Sequence, residues 1–213
     1  MINATDFVDN LLAEMQSIRD KDLNKVASDN SDSLLPEFVI KHWLNFAVYY
    51  ERAAVSFIGG WLRNVKDDEL LNHYAHQIED ECNHFRWLKK HLQQYGGDYQ
   101  MFEAPKEWAF LMDDYYPGLD NVIEQLAAHN LAAETGVLGF MEFSYHRFPS
   151  NIKKTLTTVI KDETYHVSFA AKLLRKYCTT EKLQNLARRS ALESLEYMQR
   201  AREVFVHPMV EAV

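Results

Sequence analysis

An all-α fold is predicted by three features of this sequence of 213 residues. Long stretches repeat apolar residues at the three- and four-residue spacing of an amphipathic helix. Glycine and proline, the residues that most often interrupt helices, number only 7 and 5. The periodic stretches run between these residues, so each stretch can form a long helix.

The first part of the chain predicts three helices. A helix from Asp6 to about Val26 is followed by the polar segment 28–33, whose Ser, Asp and Asn residues are typical of a loop. The next helix runs from about Pro36, a residue favoured in a first turn, to about Asn64. A short turn at 65–68 leads into a third helix that ends at Gly96-Gly97. Because this turn is short, the second and third helices are expected to be antiparallel neighbours.

A link of about 22 residues, 97–118, precedes three further helices. The link is rich in aromatic and apolar residues, which indicates that it packs onto the protein. Helices are then expected from about Leu119 to Arg147, from Asn151 to Tyr177, and from about 179 to 206, with a turn at Pro149-Ser150. The pattern predicts two antiparallel pairs joined by one long crossover, the connectivity of ferritin-like four-helix bundles.

Length and composition indicate one domain, 1–213. Its bundle core is expected at about 36–177, with an N-terminal helix and loop at 1–35 and a fifth helix at 179–206. The net charge of −8 argues against nucleic-acid binding. No apolar run is long enough to span a membrane, and the first residues do not form a signal peptide. Two cysteines without a spacing motif indicate reduced thiols and a cytoplasmic location.

One phrase, Asp-Glu-x-x-His, occurs twice, at residues 80–84 and 162–166. Residues three apart lie on the same face of a helix, so Glu81 with His84, and Glu163 with His166, can each bind one metal ion together. A Glu-x-x-His on two helices and a single Glu on two others is the ligand set of di-iron and di-manganese carboxylate bundles. The repeat therefore predicts that two further glutamates complete the site.

Glu51 and Glu134 are those glutamates. Glu51 lies 30 residues before Glu81, and Glu134 lies 29 residues before Glu163. This separation fits two helix hairpins with their ligands near mid-helix. All four glutamates lie on apolar helix stripes, where an isolated charge costs several kcal/mol. The predicted ligands of two iron ions, with manganese as an alternative, are Glu51, Glu81, His84, Glu134, Glu163 and His166.

These residues resemble the ferritin-like di-iron carboxylate superfamily over about 36–177. The resemblance implies that Glu81 and Glu163 bridge the two metals. It also implies that Asp80 and Asp162 hold the ligand imidazoles through their second nitrogens. The phrase at 161–166 and the 53-residue gap from Glu81 to Glu134 are similar to cyanobacterial aldehyde-deformylating oxygenases. The resemblance therefore favours the oxidase and oxygenase branch.

The expected function is a di-iron oxidase or oxygenase that uses O₂ to oxidise a small, largely apolar organic substrate. No catalytic residue is expected beyond the metal ligands. A ferredoxin or flavoprotein reductase would supply electrons, and the chain would be a monomer or a small homo-oligomer. Three alternatives stay open: an iron protein for ferroxidation, storage or peroxide scavenging; a heme-oxygenase-like di-iron oxidase; and a metal-free helical interaction module.

Overall fold

The computed structural model describes residues 2–26 and 33–210, and within them the chain is helical without any strand. The all-α prediction is therefore confirmed. The eight α-helices of the described residues are α1 Ala4–Val26, α2 Glu37–Trp61, α3 Asp68–Gln94, α4 Lys106–Ala109, α5 Val122–Gln125, α6 Glu134–Ser144, α7 Ser150–Tyr177 and α8 Glu181–Val210. Short 3-10 helices lie at Leu62–Asn64, Tyr99–Met101 and Tyr145–Arg147, and π-helices at Phe110–Tyr115 and Leu126–Ala133.

Local sequence signals set several helix ends. The Asp67 carboxylate accepts hydrogen bonds from the backbone N–H groups of Glu69 and Leu70 and so caps α3. The carbonyl of Asn121's side chain accepts from Ile123 N–H and caps α5 in the same way. After α3 the backbone turns at Gly96, whose φ of 65° is a conformation that favours glycine. The predicted loop at 28–33 falls almost entirely outside the described residues.

The chain divides into two compact units, and α7 and α8 each contribute to both. The predicted single domain stays a prediction. Among the described residues, the first unit contains α1 with 119–144 and 160–199, and the second contains 33–118, 145–159 and the end of α8 from residue 200. None of the helices in the described ranges is both long and apolar enough to cross a membrane.

In the second unit, α2 packs along α3 as the short turn predicts. Trp61 at the end of α2 packs against Tyr74 of α3, with ring centroids 5.7 Å apart and the rings tilted by 44°. The link 97–118 packs as expected, but it is partly helical because Pro105 starts a helix in which Trp108 and Ala109 donate to the Pro105 carbonyl. Trp108 is buried, and its ring lies 4.5 Å from that of Phe46 in α2.

In the first unit, polar contacts tie the chain's N-terminal helix to its C-terminal ones. Arg188 of α8 makes two hydrogen bonds to Glu14 of α1, at 3.0 and 2.6 Å. The Nη2 atom of Arg175 in α7 lies 2.5 Å from Oδ1 of Asp9 in α1. Gly139 of α6 leaves room for the Arg19 side chain of α1, since a Cβ there would lie 2.3 Å from the Cδ atom of Arg19.

The two cysteines differ in exposure, and this difference predicts selective labelling. At neutral pH a maleimide is expected to modify Cys82, which is exposed, and to leave Cys178 unmodified. Burial raises the pKa of the Cys178 thiol to about 11, and the thiolate is the reactive form. Peptide mass spectrometry measures both sites, and in denaturant both should react. Equal labelling of the two thiols in the folded protein would contradict the packing described for Cys178.

Candidate metal centre

The second unit brings Glu51, Glu81 and His84 together. Glu51 comes from α2, and Glu81 and His84 come from adjacent turns of α3. The Nδ1 atom of His84 lies 3.1 Å from Oε2 of Glu81 and 3.7 Å from Oε2 of Glu51. We call these three residues the first triad.

The first unit brings Glu134, Glu163 and His166 together in the same way. Glu134 is the first residue of α6, and the other two lie on adjacent turns of α7. The Nδ1 atom of His166 lies 3.0 Å from Oε2 of Glu163 and 3.8 Å from Oε1 of Glu134. We call these three residues the second triad. Its distances match those of the first triad to within 0.1 Å.

Each triad suits a divalent metal ion. All six residues are at most 5% exposed, and the donor atoms of each triad lie within 4.8 Å of one another. Two ionised carboxylates and one neutral imidazole carry a charge of −2, which one divalent cation offsets. Without such an offset, burying these charges costs several kcal/mol. Carboxylate and imidazole donors together suit iron and manganese.

The neighbours of the two triads are not the same. In the first triad, the Gln77 amide donates to Oε1 of Glu81 at 3.1 Å, and Gln77 is fully buried. The residue four positions before Glu163 is Val159, which has no such group. Asp80 Oδ2 lies 3.1 Å from Nδ1 of His76. The expected roles of Asp80 and Asp162 in holding the ligand imidazoles stay predictions.

Sequence reasoning missed His129. This histidine is fully buried, and its Nδ1 atom lies 3.4 Å from Oε1 of Glu134. The sequence predicted one regular helix through 119–147, and in a regular α-helix residues five apart are about 140° apart around the axis. The π-helix Leu126–Ala133 removes that offset. The available signal was a pair of polar residues, His129 and Asn130, inside an apolar run.

A second difference from expectation concerns His73. In the sequence His73 lies two turns before Glu81 and could face the metal site, but the pattern favours a polar helix position. The structure instead buries His73 at 2% exposure beside Tyr74, with ring centroids 5.9 Å apart. Leu70, one turn earlier, is also buried, so this end of α3 has a wider core-facing surface than its charge pattern indicates.

A cleft of about 520 Å³ lies in the second unit, between α2 and the link that follows α3. Apolar Phe57 and Met112 line it together with Arg52 and Asp113. Tyr49 also lines it, and burial, aided by the Asp113 charge, raises the pKa of that phenol to about 12. The lining of this cleft is therefore of mixed polarity.

Comparison with known proteins identifies the fold. No protein-family model and no curated protein matches this chain. A solved structure does: the X-ray structure of a TenA homologue from Pyrococcus furiosus, with a TM-score of 0.74 and 15% sequence identity. The similarity covers 93% of this chain and 99% of that one. The fold is TenA-like. At this identity the likeness establishes the fold and no activity.

This finding corrects two predictions. The resemblance to the ferritin-like di-iron carboxylate superfamily is wrong, because the TenA fold is an all-helical arrangement related to heme oxygenase. The predicted di-iron oxidase or oxygenase function was based on that resemblance and is wrong with it. The heme-oxygenase-like alternative agrees with the comparison at the level of fold alone. The comparison does not test the six residues predicted as metal ligands, which stay a prediction.

Proposed function

We propose that this protein binds two divalent metal ions, one at each triad, within a TenA-like fold. The observation that carries the proposal is the repeated triad of two buried carboxylates and one buried imidazole, with donor distances that agree to 0.1 Å. Iron(II) is the proposed metal and manganese(II) the alternative. Bound metals of this kind polarise oxygen-containing ligands and lower the pKa of bound water.

Metal content tests the proposal. The metal-free protein, loaded with Fe(II) under anaerobic conditions or with Mn(II) and then desalted, should retain two ions per chain by elemental analysis. Replacing Glu134 with Leu and His166 with Ala removes two ligands of the second triad, and the content should fall to one ion or none. His91→Ala is the control, because His91 belongs to neither triad. It is partly exposed, and its Nε2 atom lies 2.9 Å from Oγ1 of Thr155. A wild-type content of one ion or none would refute the proposal.

A second candidate is a metal-free hydrolase. TenA family members are thiamine-salvage enzymes that hydrolyse aminopyrimidines, and the likeness to a TenA homologue extends over nearly the whole chain. This candidate predicts aminopyrimidine hydrolysis by protein that has been stripped of metal. It gives no role to two carboxylate–histidine triads in the core. Hydrolysis without bound metal, together with failure to retain iron or manganese, would favour it over the metal-binding proposal.

A further inference from the structure

The π-helix Leu126–Ala133 directly precedes the ligand Glu134, and all eight of its residues are buried. Its last turn joins His129 to Glu134 through the backbone, because the Glu134 N–H donates to the His129 carbonyl. This bond spans five residues, so His129 lies about one turn below Glu134 and on the same side of the helix. π-Helical turns inside α-helices occur frequently at functional sites.

The side chains of this pair also meet. The Nδ1 atom of His129 lies 3.4 Å from Oε1 of Glu134, and both residues are at most 1% exposed. Among the described residues, His129 is outside the sets of donor atoms that lie within 4.8 Å of one another. Its position is therefore that of a neighbour to a metal ligand and not that of a ligand. An imidazole N–H donor beside a carboxylate ligand fixes the orientation of that carboxylate.

The first triad has no equivalent histidine. The residue five positions before its ligand Glu51 is Phe46, in the regular helix α2. The Phe46 ring packs against Trp108, with centroids 4.5 Å apart. The two triads thus have similar ligands but different neighbours at corresponding positions.

We propose that His129 is a positioning residue for Glu134, and that it makes the two metal sites unequal. In the structure the two atoms lie 3.4 Å apart. When the second triad binds its ion, Nδ1–H of His129 donates to Oε1 of Glu134 and holds the carboxylate in the orientation that binds that ion. The π-helix Leu126–Ala133 is the segment that brings His129 close to Glu134. The inference rests on the proposed metal binding and adds a residue that the ligand pattern does not contain.

Stepwise metal titration of two variants tests the inference. His129→Phe gives the second triad the residue type that the first triad has at the corresponding position, Phe46. The phenylalanine side chain is similar in volume to the histidine it replaces. This variant should bind one of the two ions with about 10- to 100-fold lower affinity, the usual effect of losing a hydrogen-bond partner of a ligand. The affinity for the other ion should be unchanged. His129→Gln keeps an N–H donor and should recover most of the affinity. His91→Gln is the control for replacing a histidine elsewhere in the helices.

Two further measurements test whether the change in affinity occurs at the second triad. The visible spectrum of the Co(II)-loaded protein should change in His129→Phe, because the geometry at one ion changes, and return towards wild type in His129→Gln. In a chain that lacks the first triad through Glu51→Leu and His84→Ala, His129→Phe should still weaken the remaining ion. Circular dichroism establishes that each variant is folded, and if His129→Phe does not fold, the Gln variant is compared with His129→Leu.

The possible results distinguish the role of His129 from the proposed metal binding on which it rests. If the wild-type chain retains no metal, the proposed function fails. If the wild type binds two ions and both non-donor variants bind them with unchanged affinities and spectra, the role of His129 is overturned while the metal proposal stands. If His129→Gln and His129→Phe lower the affinity for the same ion equally, the loss of the donated N–H does not explain the lower affinity, and the inference is also overturned.

Discussion

Loading the protein with Fe(II) or Mn(II) is expected to raise its unfolding temperature by about 10–20 °C. A ligand at 100 times its dissociation constant stabilises the folded state by about 2.7 kcal/mol, so two ions contribute about 5 kcal/mol. In a domain of this size each kcal/mol shifts the unfolding temperature by about 2–4 °C. The physical reason is that the ions offset the four buried carboxylates of the two triads, and these ligands are assembled only in the folded chain.

Calorimetry of matched samples measures this shift. The metal-loaded protein is compared with the same protein in excess chelator. The control is Glu81→Gln together with Glu163→Gln, which keeps the shape of both side chains and removes their charge. This variant should unfold at one temperature with or without metal. If loaded and metal-free wild type also unfold together, metal binding is not coupled to folding and the triads are not occupied in the folded state.

The grouping of these six side chains could be predicted from sequence because their geometry is mainly local. Residues three apart on a helix face the same side in any helical fold, so the Glu81–His84 and Glu163–His166 pairs follow from helix formation alone. Glu51 joins its pair because the turn at 65–67 is too short for α2 and α3 to be anything but neighbours. These steps need no knowledge of the overall topology.

The fold family could not be predicted in the same way. Helix lengths and short turns are compatible with more than one arrangement of helices, and long-range packing decides among them. The link after α3 is an example: its aromatic residues predicted packing, but not the helices that begin at Pro105. The ligand repeat favoured the ferritin-like superfamily, whereas the solved structure that this chain resembles is a TenA homologue.

The π-helix was missed for a different reason. Its sequence, from Leu126 to Ala133, has the composition of an ordinary buried α-helix. The energetic difference between the two helix types depends on what lies around them, which a single sequence does not give. A regular α-helix would place His129 about 140° away from Glu134 around the axis, whereas in the structure its Nδ1 atom lies 3.4 Å from Oε1 of Glu134.

Replacing Glu51 and Glu134 with leucine is expected to abolish metal retention while stabilising the metal-free protein by about 1–4 kcal/mol. These two glutamates are 5% and 1% exposed and lie on different helices. In the metal-free chain each is a buried carboxylate within 4 Å of a histidine and close to a second carboxylate. Leucine fills much of the same space without a charge to desolvate, whereas each ion loses one of its carboxylate ligands.

Denaturant unfolding of metal-free proteins, paired with elemental analysis after loading, tests both halves of this expectation. The control is Glu79→Leu with Glu193→Leu, which makes the same chemical change at two exposed positions in α3 and α8. It should retain two ions and show little change in unfolding free energy. A leucine variant at 51 and 134 that still holds two ions would remove both residues from the ligand set. One that loses the ions but is less stable than metal-free wild type would show that the glutamates stabilise the fold even without metal, so the triads are primarily structural polar networks.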